Sequence, residues 1–180
     1  MGYKIVDNFL SESDFLGIKN EFFNSRMVPW YFNNYTTVRL DGGKDPDIFQ
    51  FTHLLYQDFR FMHSGDSIIR PLLQKLAPFT LIRIKLNLLP KRDRIIQNSF
   101  HRDHKAMFES NCKYSVGIFY LNNNNGFTVL EDGTKIESVE NRMLLLSGDQ
   151  IHTGTTSTDE RRCLINFNFV NKETENLYNL

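Results

Sequence analysis

Alanine is nearly absent from this chain, and this scarcity bears directly on its architecture. Only Ala77 and Ala106 occur among 180 residues, whereas asparagine occurs eighteen times. Alanine is the strongest helix former and asparagine favours turns. The composition therefore favours sheet and turn over long helices.

Cysteine, net charge and long apolar runs are lacking as well. Cys112 and Cys163 are too few and too isolated for a disulfide framework or a zinc ribbon, so we expect reduced thiols. The 21 basic and 21 acidic side chains cancel, so nucleic acid is not an expected partner. No run approaches the roughly 18 consecutive apolar residues of a membrane span, and no signal segment follows Met1, so we expect a cytoplasmic protein without a membrane partner.

Apolar and aromatic residues are plentiful. Hydrophobic residues make up 41% of the chain, with 16 Phe and 7 Tyr, which is enough for a packed core and too much for a disordered chain. The length suits one domain over residues 1–180, either monomeric or homodimeric.

Residues 1–78 predict helical support and edge strands. Strands are predicted at 3–9 and 49–56, a first helix begins after Ser11 and ends before Pro29, and a second helix occupies 68–76. From residue 79 to 170, short apolar runs alternate with turn residues, as an antiparallel sandwich or barrel requires. Asn122–Asn125 with Gly126 predicts one hairpin loop, and Asp132-Gly133 predicts a second, tight hairpin.

Two predicted strands, 81–89 and 162–169, separate polar from apolar side chains by their alternation. The polar faces carry Arg83, Lys85, Asn87, Arg162, Leu164, Asn166 and Asn168. The opposite faces carry Ile82, Ile84, Leu86, Leu88, Cys163, Ile165, Phe167 and Phe169. Two interpretations stay open: the polar faces are solvated, or they line a cavity while the apolar faces pack on the N-terminal helices.

A possible metal site follows the first of these strands. His101 and Asp103 are two residues apart, so they project from one face of an extended segment, and His152 supplies a third ligand. Two histidines and one carboxylate form the facial triad of non-haem iron(II) oxygenases, which leaves three adjacent coordination positions open. Arg162 follows ten residues after His152 and can grip a buried carboxylate in bidentate fashion. Strand alternation favours Arg162 over Arg161 for this role.

This arrangement resembles a known family. The order of His-x-Asp, a strand at 118–122, a distal His and an Arg ten residues later is similar to the prolyl 4-hydroxylase-like 2-oxoglutarate- and iron(II)-dependent oxygenases, most of all to small phage-encoded members. The likeness covers 79–169. Two departures occur: Leu89 stands where the family often has tyrosine, and a Gly-Gly-Glu-Thr stretch is only partly kept, at 125–128.

The resemblance implies a mostly β (α+β) fold, namely a double-stranded β-helix, or jelly-roll, barrel with N-terminal helices packed on one sheet. It also implies roles for particular residues. His101, Asp103 and His152 would bind Fe(II) and be catalytic, Arg162 would hold the far carboxylate of 2-oxoglutarate, and Tyr120 would support that carboxylate through its hydroxyl. Lys85, Asn87 and Asn166 share faces with these residues and are candidates to contact cosubstrate or substrate, or only one another.

The activity implied is hydroxylation of a substrate C–H bond by dioxygen, with 2-oxoglutarate converted to succinate and CO2 and with ascorbate as a stimulant. The substrate would be a peptide, for instance a peptidyl proline, or a small molecule. A non-catalytic cupin-like or virion-associated jelly roll is the alternative. A nucleobase dealkylase ranks lower, because the second arginine typical of those enzymes is replaced by Phe167 or Asn168.

Two further features lie close to the predicted metal ligands in sequence. The basic residues Lys91, Arg92 and Arg94 precede the metal motif and predict a solvated loop, with a mobile lid over the site as the second interpretation. His104 falls on the opposite face from Asp103, so we expect it at the surface or behind the ligands.

Overall fold

The computed structural model describes residues 2–44, 48–62, 66–104, 109 and 113–171. Cys112, one of the two predicted free thiols, lies outside these residues. Cys163 is free and buried, and burial raises the pKa of its thiol to about 12.

Strands dominate the described structure. They are β1 (Tyr3–Val6), β2 (Tyr31–Asn33), β3 (Gln50–Gln57), β4 (Arg60–Phe61), β5 (Thr80–Leu89), β6 (Ser115–Tyr120), β7 (Asn124–Leu130), β8 (Lys135–Ser138), β9 (Met143–Ser147), β10 (His152–Gly154) and β11 (Arg162–Val170). Within the described ranges, an eight-stranded sheet has the order β1-β9-β6-β11-β5-β3-β2, with β4 beside β3, and a three-stranded sheet has the order β10-β7-β8. All paired strands are antiparallel. The prediction of a mostly β, antiparallel chain is confirmed.

The helices lie near the predicted positions. Helix α1 (Glu12–Lys19) begins at Ser11, whose Oγ accepts the Asp14 N–H at 3.3 Å, and it continues as a π-helical turn over Asn20–Asn24. Helix α2 (Arg70–Leu76) ends where Ala77 takes a left-handed backbone with φ 45°. In the part of the chain that the structure describes, no helix is both long enough and apolar enough to cross a membrane.

The helices cover one face of the large sheet. Apolar residues of β5, β6, β9 and β11 pack there against both helices and form one cluster. Its members include Phe15, Ile18, Phe22, Leu72, Leu76, Ile84, Leu86, Phe119, Met143, Cys163, Ile165, Phe167 and Phe169. Each such buried side chain contributes roughly 1.5–3 kcal/mol relative to an exposed one. The predicted packing of the apolar strand faces against the helices is therefore confirmed.

The small sheet packs on the opposite face of the large sheet. Leu130 of β7 and Ile136 of β8 contact a second apolar cluster supplied by the large sheet. That cluster includes Val116, Ile118, Tyr120, Leu144, Leu146 and Leu164. The two sheets are thus joined by apolar contacts on the β6 and β9 side, while the inner faces of β5 and β11 bring polar groups between them.

The predicted hairpin at Asn122–Gly126 is wrong. β6 pairs with β9 and β11, whereas β7 pairs with β8 and β10, so residues 121–123 cross from the large sheet to the small one. Asn122 stabilises the crossing, because its Oδ1 accepts the Cys163 N–H at 3.1 Å and its Nδ2 donates to Arg161 O at 2.8 Å. Asparagine side chains form local hydrogen bonds equally well in a crossover and in a hairpin turn, so composition does not distinguish them.

The second hairpin prediction is confirmed. β7 and β8 pair across Asp132-Gly133, where the Gly133 N–H donates to Leu130 O at 2.9 Å. Gly133 has φ +86°, a conformation that glycine adopts without the steric cost of a side chain.

Ile82 lies on a different face from the one predicted. In the β5–β11 ladder, Asn168 pairs with Arg83 but Phe169 pairs with Leu81, so a bulge leaves Ile82 unpaired. Beyond the bulge the alternation is inverted, and Ile82 packs with the inter-sheet cluster while Leu81 packs on the helix side. The prediction is confirmed for Ile84, Leu86 and Leu88.

Candidate metal centre and active site

The side chains of His101, Asp103 and His152 converge between the two sheets. Asp103 Oδ1 lies 3.4 Å from His101 Nε2 and 3.8 Å from His152 Nε2, and the candidate ligand atoms all lie within 4.8 Å of one another. The backbone holds them in place: His101 N–H donates to His152 O at 3.0 Å, and His152 N–H donates to His101 O at 3.2 Å. Two distant segments therefore form one bridge that carries both imidazoles.

The His152 imidazole has a defined tautomer. Its Nδ1 lies 3.0 Å from Gln150 O, and because a carbonyl only accepts, Nδ1 carries the proton and the Nε2 lone pair faces Asp103. Burial and the nearby His101 lower the pKa of His152, against the opposing charge of Asp103. The neutral, ligating form is favoured.

Asp103 is held by two asparagines of β11. Its Oδ2 accepts Asn166 Nδ2 at 2.9 Å and Asn168 Nδ2 at 2.7 Å, so Oδ1 is the oxygen directed at the histidines. Burial raises the pKa of Asp103, but hydrogen bonding from His101 and the charges of His152, His101 and Arg83 outweigh it and hold the pKa well below its usual range. Asp103 is thus an ionised, oriented, one-oxygen donor.

Arg162 lies at the start of β11 and is 2% exposed. Its Nε donates to Ser138 Oγ at 2.8 Å and its Nη2 to Thr128 Oγ1 at 3.0 Å. No carboxylate of the described residues lies within 4.0 Å of the guanidinium. Burial lowers the pKa of Arg162, but a guanidinium remains charged in proteins. A buried cation without a carboxylate partner indicates a site for an anionic ligand.

Two glycines give the Arg162 side chain its space. A Cβ at Gly126 would lie 2.9 Å from Arg162 Cδ and 2.8 Å from Thr156 O, and a Cβ at Gly154 would lie 3.1 Å from Arg162 Nη1. Gly126 belongs to the partly kept glycine stretch noted in the sequence. The close approach of the arginine is the physical reason for glycine at these positions.

A cavity of about 80 Å³ connects the three ligands with Arg162. Its walls include the predicted site residues of β5 and β11 together with residues of the small sheet and neighbouring loops. They include Lys85, Asn87, Leu89, Asn98, Thr128, Thr153, Gly154, Leu164 and Asn166. Of the two interpretations of the polar strand faces, the cavity is therefore confirmed for these residues, and the solvated face is wrong.

Tyr120 is placed differently from the other predicted site residues. It is fully buried and absent from the cavity wall, with its hydroxyl 2.8 Å from Thr128 Oγ1 and its ring centre 5.6 Å from the Arg162 guanidinium carbon. Burial raises the pKa of Tyr120, so the phenol stays protonated. Thr128 lies between Tyr120 and the cavity, so Tyr120 supports Thr128 and Arg162 from behind.

The neighbouring arginine points away from the cavity. The Arg161 guanidinium stacks on the Phe23 ring at 4.1 Å and Nη2 donates to Phe23 O at 3.0 Å, on the helix side of the sheet. Arg161 and Arg162 therefore occupy opposite faces of the sheet, as alternation predicts.

The sequence did not identify Thr128 and Ser138 as partners of Arg162, nor the asparagine pair as partners of Asp103. Asn166 and Asn168 could have been recognised from the sequence as site residues, because they share a polar strand face with Arg162. Nothing in the sequence except their hydroxyl groups indicated Thr128 and Ser138. His104 is half-buried rather than at the surface: its ring meets Tyr114 edge-on, and its N–H donates to the Tyr114 hydroxyl at 3.2 Å.

The basic segment before the metal motif is bound to the edge of the small sheet. Arg92 N–H donates to Ser157 O at 2.8 Å, Thr156 N–H to Ile96 O at 2.9 Å, and Asn98 N–H to Gly154 O at 3.0 Å. The Arg92 guanidinium also stacks 4.4 Å from the Phe49 ring centre. These contacts extend the small sheet towards His101 and help to position it.

The fold resembles that of solved prolyl hydroxylases and other 2-oxoglutarate- and iron(II)-dependent oxygenases. No protein-family model matches the sequence, and no curated protein is similar to it in sequence. The likeness comes from solved structures. Their sequence identity to this chain is low, so the likeness is one of fold alone.

Three of these structures illustrate the range. The viral collagen prolyl hydroxylase of Paramecium bursaria Chlorella virus-1, a 2-oxoglutarate complex, has a TM-score of 0.62 at 13% identity, covering 93% of this chain and 96% of its own. A Trichoplax adhaerens prolyl hydroxylase, in complex with a hypoxia-inducible-factor peptide fragment, has a TM-score of 0.66 at 15% identity, with coverage of 93% and 83%. HygX from Streptomyces hygroscopicus, with nickel, 2-oxoglutarate and hygromycin B bound, has a TM-score of 0.60 at 10% identity, with coverage of 96% and 84%.

Proposed function

We propose that the chain is an iron(II)- and 2-oxoglutarate-dependent oxygenase on a double-stranded β-helix, acting as one domain over residues 1–180. The observation that carries the proposal is the pairing of two features in one cavity. At one end lie two histidines and an oriented carboxylate, and at the other lies Arg162, a buried cation that no described carboxylate neutralises. A dicarboxylate that also coordinates a metal satisfies both ends.

The donor set suits iron(II). His101, Asp103 and His152 would hold the metal on one side and leave positions open towards the cavity, the arrangement typical of non-haem iron oxygenases. Asn166 and Asn168 keep Asp103 monodentate, and Gln150 O fixes the His152 tautomer. A metal held by these residues would activate dioxygen, the oxidant, so that one oxygen atom enters the substrate C–H bond and the other enters succinate as 2-oxoglutarate loses CO2.

The ladder between β5 and β11 sets the distance between the two ends. Asp103 is attached at Asn166, and Arg162 lies four residues earlier, which is about 13 Å along a strand. The Arg162 side chain and metal coordination occupy part of that length, and the remainder suits a five-carbon dicarboxylate. Arg162 and the Thr128 hydroxyl would bind the far carboxylate, while the apolar Leu164 side chain lies between the ends and excludes water.

The hydroxylated C–H belongs either to a peptide, including a peptidyl proline, or to a small molecule. The Trichoplax enzyme was captured with a peptide fragment and HygX with hygromycin B, so this fold accommodates both kinds of molecule. The prolyl assignment rests on the resemblance alone.

The test is turnover of the cosubstrate. Purified protein with Fe(II), 2-oxoglutarate, dioxygen and ascorbate is expected to form succinate slowly even without a substrate. His152→Ala is expected to abolish both succinate formation and iron binding, because a buried ligand is lost, while Arg161→Gln serves as the matched active control. A wild-type protein that neither binds iron nor forms succinate would exclude this function and favour a non-catalytic jelly roll.

A further inference from the structure

The inner face of β5 carries two cations of its own, in addition to Arg162 on β11. Lys85 lines the cavity, and Arg83 precedes it by two residues on the same face. In the ladder, Lys85 pairs with Asn166 and Arg83 pairs with Asn168, so both cations are cross-strand neighbours of the asparagines that hold Asp103. Directly opposed residues have Cβ atoms about 5 Å apart, which places both cations beside the metal ligands.

The charge of one carboxylate, Asp103, acts on both cations. Within the described residues, neither Lys85 nor Arg83 forms an ion pair with a carboxylate within 4.0 Å. The Arg83 Nε–H is buried and donates to no acceptor in the described part of the chain. Burial and the adjacent Arg83 lower the pKa of Lys85 to about 8, against the opposing charge of Asp103. Two partly buried cations two residues apart repel each other, and an anion between them would relieve this repulsion.

The proposed cosubstrate does not supply that anion. In the complex, the two charges of Fe(II) and the charge of Arg162 would be balanced by Asp103 and by the two carboxylates of 2-oxoglutarate. Lys85 and Arg83 are then two cations in excess. A second anionic group, brought by another molecule, would neutralise these two cations.

The position of Arg83 separates it from the cosubstrate. Arg162 pairs with Leu89 at one end of the ladder, and Arg83 pairs with Asn168 six residues along β11, about 20 Å away on the rise of a strand. Asp103 Oδ2 accepts from both Asn166 and Asn168, so Asp103 lies at the Arg83 end of this span. Arg83 therefore lies level with Asp103, at the end of the site remote from Arg162.

We propose that the substrate is a small molecule with a carboxylate or phosphate group, and that Arg83 and Lys85 bind this group beside the metal ligands, towards the end of the site remote from Arg162. The inference rests on the proposed function and names its substrate class. Arg83 would supply a fork of donors and Lys85 a point charge, and together they would orient the reacting C–H towards the metal. A neutral internal peptide segment does not meet this requirement, whereas a free amino acid or a phosphate ester does.

The test is binding of simple anions to the loaded protein. Wild-type protein with Fe(II) and 2-oxoglutarate, kept anaerobic, is titrated with acetate and separately with inorganic phosphate at constant ionic strength. The readouts are the charge-transfer absorbance of the iron complex and the Tm. We expect saturable binding of at least one anion, and the two titrations distinguish a carboxylate from a phosphate site.

Matched variants locate the anion. Arg83→Gln and Lys85→Gln are each expected to raise the apparent Kd of the anion about tenfold, the effect of one lost charge-assisted hydrogen bond. Lys85→Arg keeps the charge and is expected to restore binding, and Arg161→Gln is expected to leave it unchanged.

Three results would overturn the inference. They are a wild-type protein that binds neither anion, glutamine variants that bind as tightly as wild type, and an Arg83→Gln effect on the affinity for 2-oxoglutarate itself. A different result is the absence of the charge-transfer band in wild-type protein with Fe(II) and 2-oxoglutarate. That result rejects the proposed function itself, and the substrate class is rejected with it.

Discussion

The two faces of β11 differ in chemistry but not in burial. Eight consecutive residues from Arg162 to Phe169 are all buried. The face towards the helices carries Cys163, Ile165, Phe167 and Phe169. The face towards the small sheet carries Arg162, Leu164, Asn166 and Asn168. One strand therefore contributes to the main core and forms the floor of the candidate site.

The difference shows that burial alone does not distinguish core from site. Apolar side chains need only close packing, whereas a buried polar group needs a specific partner. Asn166 and Asn168 donate to Asp103, and Arg162 donates to two hydroxyls without a carboxylate to neutralise it. The helix-facing side stabilises the fold. The inner side lowers the free energy of unfolding, because it keeps charged groups buried where ligands can bind them.

A polar substitution on the helix-facing side should have the largest effect. Phe167 is fully buried among apolar residues, so Phe167→Asn removes its packing and buries an amide without a partner. We expect the free energy of unfolding to fall by about 5 kcal/mol, which combines the cavity cost with the unsatisfied amide. Urea denaturation measures it.

The control is the next residue, on the other face. Asn168 is equally buried, at 0% exposed, but its function is to hold Asp103. Asn168→Ala is expected to lower stability by less than about 2 kcal/mol and to weaken iron affinity about tenfold, because an outer partner of a ligand is lost. Equal stability losses in Phe167→Asn and Asn168→Ala would show that the two faces are not specialised in this way.

The arginine pair compares the faces directly. Arg162→Gln removes the buried cation, and we expect the concentration of 2-oxoglutarate required for half-maximal succinate formation to rise about 100-fold, since about 3 kcal/mol of charge-assisted bonding is lost. Arg161→Gln removes contacts with Phe23 and an exposed ion pair with Glu160, all outside the cavity, and should change this requirement less than about twofold. Similar effects of the two variants would contradict the assignment.

Burial of the charged Lys85 side chain on the inner face should lower the free energy of unfolding. Its pKa falls from 10.5 to about 8 on folding, so between these pH values the unfolded chain binds more protons and stability rises with pH. The destabilisation is fully present below pH 8 and is lost by about pH 10.5. The full shift corresponds to about 3 kcal/mol, and water in the cavity reduces it to about 2.

Lys85→Met removes this cost. We expect unfolding at pH 7 and low anion concentration to require about 2 kcal/mol more than in wild type, and the rise in stability from pH 8 to 10 to disappear. Urea denaturation across this pH range checks both. A variant less stable than wild type at pH 7, with the same pH slope, would show that Lys85 is not strained by burial.

Much of the local structure followed from patterns in the chain. The helix start at Ser11, the strands over residues 50–57 and 80–89, and the glycine turn at Gly133 all lie where capping, alternation and turn chemistry predicted them. Two predictions failed for non-local reasons. Asn122–Gly126 crosses between sheets, and the bulge at Ile82 inverts the alternation, because both depend on which strands meet rather than on residue preferences.

The sequence by itself determined the alternation of polar and apolar side chains on β5 and β11, because backbone geometry places successive residues on opposite faces. Spacing also determined that His101 and Asp103 share a face and that Arg161 and Arg162 do not. Only the tertiary structure brought His152 beside His101 and Asp103. It also brought Thr128 and Ser138 within hydrogen-bonding distance of Arg162, and the two asparagines within hydrogen-bonding distance of Asp103. These contacts join strands far apart in the chain, and their geometry depends on sheet pairing and packing, which no local pattern specifies.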